Sequence, residues 1–173
     1  MSYLDLRKEQ PVIKPQTFIT KVEQIACEEP AYRIGGTGKD GTCDCIGLVI
    51  GAIRRAGGVW NGLKGTNYTA RNEMAYLLPV HTAGDLKVGE VVFKARNPGE
   101  PGYDAERIRK SYRSSPDKRD YYHIGVVESV HPLRIRHMTT PMPRMDTSLG
   151  KWKYHGWLRK IEPEMKMEEE EEE

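Results

Sequence analysis

The chain has 173 residues, room for one domain with a substantial core. Hydrophobic content is 38% and mean hydropathy −0.67, and no apolar run approaches the ~20 residues of a membrane-spanning helix. A net charge of +2 conceals an asymmetry: residues 1–161 hold 26 basic against 17 acidic side chains, whereas residues 162–173 hold eight glutamates against Lys166. The body is basic and the tail acidic.

The first ten residues carry charges where the apolar core of an export signal would lie, so Sec export is not expected. Residues 1–16 read as irregular, with Pro11 and Pro15 as breakers. Thr17 to Glu29 reads as a helix, its stripe formed by Phe18, Val22, Ile25 and Ala26, and Pro30 ends it. A glycine-rich loop over residues 35–41 follows. The next helix spans about Asp44 to Ala56: Ile46, Val49, Ile50 and Ile53 recur at helical spacing, Asp44 suits the N-cap, and Gly57-Gly58 stops it. Residues 66–78 suggest a shorter helix.

After that the pattern turns to strands, around 90–94, 123–130, 133–138 and 151–158. Helices first and strands later predict an α+β domain, its helices packed on an antiparallel β-sheet. Between strands, residues 95–122 form a long connection with seven basic against five acidic side chains, of a length that usually carries function. The six consecutive glutamates Glu168 to Glu173 read as a disordered acidic tail.

Cys27, Cys43 and Cys45 do not resemble a disulfide framework, and Cys43-x-Cys45 lacks the spacing of a zinc site. Cys45 falls at the start of the second helix, where the helix dipole and unpaired first-turn N–H groups favour thiolate. A thiol nucleophile needs a base and a group that orients the base. Among five histidines, hairpin geometry singles out His123 and His137. A three-residue loop centred on Val130 sets them directly opposite; a two-residue turn at His131-Pro132 sets them on different faces.

The successive segments Ala31-Tyr-Arg-Ile-Gly-Gly36, Asp44-Cys-Ile-Gly-Leu-Val49, Leu86-Lys-Val-Gly-Glu-Val-Val-Phe93, His123-Ile-Gly-Val-Val127 and Arg136-His137 resemble, in order, the motifs of the NlpC/P60 family. These are papain-like cysteine peptidases that cleave bacterial cell-wall peptides, and the similarity covers roughly residues 17–140. The resemblance implies Cys45 as nucleophile, His123 as general base and His137 as the residue orienting it. It implies Tyr32, Asp44 and Gly36 as substrate-side residues, and a γ-D-glutamyl amide bond in a peptidoglycan stem peptide as the target. It calls for no cofactor and no metal.

Two departures stand out. Ile46 replaces the serine that usually follows the nucleophile, and the 95–122 connection is longer and more basic than is usual. With no export signal apparent, the expectation is synthesis in the cytoplasm and action at the wall after lysis, by a phage-mediated or other non-classical route. Anionic wall polymers are candidate partners of the basic body; nucleic acid is not an expected one. Two other readings are an amidase or acyltransferase using the same triad, and a non-catalytic wall- or polyanion-binding module.

Overall fold

A computed structural model describes residues 12–163. The expected disordered tail lies largely outside them, as does most of the expected irregular N-terminal segment. Four helices are named here: α1 (Pro15–Cys27), α2 (Cys45–Arg55), α3 (Thr66–Asn72) and α4 (Lys110–Arg113). The strands are β1 (Ala31–Tyr32), β2 (Thr42–Cys43), β3 (Met74–Pro79), β4 (Val91–Arg96), β5 (Asp120–Val130), β6 (Leu133–Met138), β7 (Pro143–Asp146) and β8 (Tyr154–Leu158).

The first helix begins at Pro15, two residues earlier than the apolar stripe suggested. Proline is tolerated in the first helical turn because its missing N–H would have no intrahelical partner there. Just before it, Ile13 pairs in parallel with Ile161, tying the two ends of the described fold together. The second helix matches its sequence signals closely. Asp44 Oδ1 accepts the Gly47 N–H at 2.6 Å, and Arg54 and Arg55 occupy the last turn. The third is shorter than expected: residues 74–79 form β3 instead, paired with β8.

β1 and β2 form a small parallel pair. The other six strands form one antiparallel sheet in the order β3-β8-β4-β5-β6-β7, so the domain is α+β. One face packs on α1 and α2 through Val91, Phe93, Ile124, Val126 and Met138, against Phe18, Val22, Leu48 and Val49. The other carries a smaller cluster of Val92, Val127, Leu133, Ile135 and Trp152. No helix among the described residues is long and apolar enough to cross a membrane.

Candidate active site

The site is built where the start of α2 meets β5. Three glycine positions explain why the motif is spelled as it is. Gly35 has φ +86°, a conformation most side chains disfavour. A Cβ on Gly36 would lie 2.6 Å from the Cys43 nitrogen, and one on Gly47 would collide with the Gly36 carbonyl oxygen. That carbonyl accepts the Asp44 N–H at 3.1 Å. Asp44 closes the assembly, because its second carboxylate oxygen accepts the Gly35 N–H at 2.8 Å. The 35–36 turn and the first turn of α2 are thus locked together, with Cys45 at the lock. Asp44 is nearly buried, and each of its carboxylate oxygens holds a backbone amide.

Cys45 is 8% exposed. The backbone N–H groups of Ile124 and Ile46 reach its sulfur, which sets the thiol against β5 at Ile124. Burial, the leading cause, and the Asp44 carboxylate together push the thiol up to about 11. The two N–H groups and the Arg107 guanidinium act in the opposite direction without offsetting this. The expected thiolate at the helix start is therefore not the resting form: desolvation outweighs the helix end. Cys43, fully buried, is pushed up further, to about 12, again mainly by burial.

The histidines meet, by a route neither simple register anticipated. Val130 faces Leu133 and Ser129 faces Arg134, the pattern of the two-residue turn. Val127 then faces Ile135 and Val126 faces Arg136, so Glu128 is an extra residue in β5. This bulge shifts the pairing by one and reverses the parity of the turn. Continued along the strands, the shifted register sets His137 opposite Gly125 and diagonal to His123, on one face. His123 Nε2 lies 2.7 Å from His137 Nδ1.

The chain of contacts continues. His137 Nε2 lies 3.0 Å from Asp146 Oδ1 on β7, off the line of a well-aligned N–H···O bond, so this contact is an electrostatic pairing. The Trp152 indole N–H donates to Asp146 Oδ2 at 3.0 Å, and the indole stacks on His123 with ring centroids 5.4 Å apart at 21°. Gly125 makes room for it, since a Cβ there would lie 2.8 Å from the indole. Burial is the main influence on both histidines: it lowers His123 to about 3 and also lowers His137, which Asp146 partly restores. Burial would raise Asp146, but its pairing with His137 and its bond from Trp152 prevail and hold it below the usual carboxylate range.

Neither Cys45 Sγ nor His123 Nδ1 has a side-chain hydrogen-bond partner among the described residues. The thiol and the imidazole are both neutral at rest, the His123 Nε2 is held by His137, and no hydrogen bond joins Cys45 to His123 among the described residues. Tyr32, half-buried on β1, has its phenol raised by burial first and then by Cys45 and Asp44, which places it at the thiol. Gly36 contributes backbone close by.

Asp146 and Trp152 escaped the sequence reading, as did Lys94, whose ammonium lies 4.8 Å from the Trp152 ring centroid. An Asp four residues before Gly150, followed by a tryptophan, offers no periodic signal by itself. Lys94, Arg144, Tyr122 and Thr139 surround a cleft of about 350 Å³ that opens onto His123, His137 and Asp146. No group of three or more His, Cys, Asp or Glu among the described residues is arranged to hold a metal ion. No protein-family model matches the chain, and no curated protein matches it.

Proposed function

We propose that the protein is a cysteine-type hydrolase of amide bonds in bacterial cell-wall stem peptides, with a papain-like domain of the NlpC/P60 kind. The supporting observation is the His123, His137 and Asp146 series on β5, β6 and β7, together with Cys45 at the start of α2, whose sulfur is reached by the N–H of Ile124, the residue after His123. Cys45 attacks the amide carbonyl as His123 takes the thiol proton at Nδ1. First-turn N–H groups of α2 stabilise the oxyanion. His123 returns the proton to the leaving amine, and water, activated by the same imidazole, hydrolyses the thioester. His137 fixes the His123 tautomer, and Asp146 fixes His137. Tyr32 and the Gly36 backbone hold the peptide. A γ-D-glutamyl bond is the proposed target, and release by lysis the proposed route to the wall.

The test is digestion of purified sacculi by wild type and Cys45→Ala, read by mass spectrometry of muropeptides. Cleaved stem peptides with wild type alone support the reading; unchanged product release by the variant removes Cys45 as nucleophile. An amine-exchanged product would assign acyl transfer instead. The burial of Cys45 and its raised pKa favour one other reading, a non-catalytic module on an anionic wall polymer. Binding of wild type to sacculi without product would select it.

A further inference from the structure

A second cavity, of about 180 Å³, lies between residues 63–68 and the connection that joins β4 to β5. Lys64, Asn67, Tyr68, Arg107, Arg109 and Tyr112 line most of it. The connection is folded down there: Ile108 is buried, and its carbonyl accepts the Arg113 side chain at 3.0 Å. Two cations lie over one aromatic ring, with Lys64 Nζ 5.1 Å and the Arg109 guanidinium 5.8 Å from the Tyr68 centroid. Tyr112 is held in place by Asn72 Nδ2, which donates to its hydroxyl at 2.9 Å, and by the Arg71 guanidinium 4.6 Å from its centroid.

Arg107 is anchored differently. Its Nε lies 3.5 Å from Oδ2 of Asp120, whose side chain is wholly buried. Asp120 Oδ1 accepts from Asn67 Nδ2 at 2.9 Å, and Asn67 Oδ1 accepts the Tyr121 N–H at 2.8 Å. Oδ2 has no hydrogen-bond partner among the described residues. Neither Lys64 nor Arg109 has a carboxylate partner there either. Three cations therefore share one carboxylate, and the cavity carries a surplus of positive charge. Asp120 and Tyr121 lie on β5 just before His123, and the Arg107 charge is felt at both Cys45 and Tyr32.

We propose that this cavity is a specificity subsite for a carboxylate-bearing residue of the peptide that reacts at Cys45, with Lys64 and Arg109, the two cations that lack a carboxylate partner, facing the carboxylate. Its place beside the cut bond rests on the reading of Cys45 as nucleophile; its taste for an anion does not. The volume suits one amino-acid side group, and the tyrosine faces suit its aliphatic part. A guanidinium meets a carboxylate in bidentate geometry, which an amide in the same place does not reproduce.

The experiment uses the full chain carrying Cys45→Ala and two forms of a C-terminally amidated Ala-γ-D-Glu-Lys peptide. One has a free glutamyl α-carboxylate, the other an α-carboxamide, and affinities are read by calorimetry. Roughly tenfold tighter binding of the acid is expected, with the preference lost in Lys64→Gln/Arg109→Gln. Equal affinities, or a preference that survives the double substitution, overturn the proposal. Wild-type turnover is measured in parallel. Acid-selective binding without hydrolysis sinks the cleavage reading and leaves the subsite; hydrolysis without selectivity does the reverse.

Discussion

Gly47 on the first turn of α2 packs its bare Cα against the carbonyl oxygen of Gly36, and no side chain fits between them. The approach sets the position of Cys45 relative to the 35–36 turn. Gly47→Ala is therefore expected to force α2 away from that turn, costing about 1–3 kcal/mol or more. A melting temperature lower by several degrees and loss of sacculus digestion should follow. Gly84→Ala, where the nearest atom to the new Cβ is 3.5 Å away, is the matched control and should melt like wild type.

Asp146 touches His137 and Trp152 but not the thiol. Asp146→Asn removes the charge that props up the His137 pKa while keeping a partner for the indole N–H. On the proposed mechanism a fall in kcat on the order of 10- to 100-fold with little change in KM is expected. Steady-state kinetics on a stem peptide provide the check, and an unchanged kcat would remove Asp146 from the relay.

Alkylation of Cys45 by iodoacetamide tracks its thiolate. With the thiol pushed up to about 11, reaction should be slow at pH 7 and climb through pH 10. Measurements belong in a Cys27→Ser background, because Cys27 is exposed. A rate already at its plateau at pH 7 would show that the thiolate is the resting form.

Folding stability should fall between pH 7 and pH 5. The folded pKa values of His123 and His137 lie below the ordinary 6.5, so the unfolded chain binds more protons in that interval. The contribution is fully present above the unfolded value and is lost as pH drops toward about 3, where His123 titrates in the fold. It amounts to a few kcal/mol as an order of magnitude. Urea titrations at pH 7 and pH 5 measure it, and His123→Asn should flatten the difference.

The legibility of the fold varied with how much of each element is buried. The second helix was readable end to end, because its cap, apolar face and terminal glycines all agree. β3 reads as helix in the sequence because only Met74 is buried along Met74–Pro79, so no two-residue alternation appears. β7, the opposite edge strand, has four residues and no buried position, which hid Asp146. The meeting of His123 and His137 is legible from residue type and hairpin pairing, although the bulge at Glu128 that produces it is not. Arg107 was visible only as one of seven cations, since its anchor, Asp120, is brought to it by tertiary packing.

Glu128 also determines where this chain can change length. Its extra step is what lets a two-residue turn coexist with two histidines on one side of the sheet. Deleting it, or adding one residue anywhere between Val127 and Leu133, would turn His137 to the opposite surface while leaving every strand able to pair. Changes of two residues would preserve the facing. The 97–119 connection bears no such parity rule, because its ends are set by β4 and β5 rather than by a shared turn. Length variation in natural or engineered versions should therefore accumulate there and be absent from the hairpin.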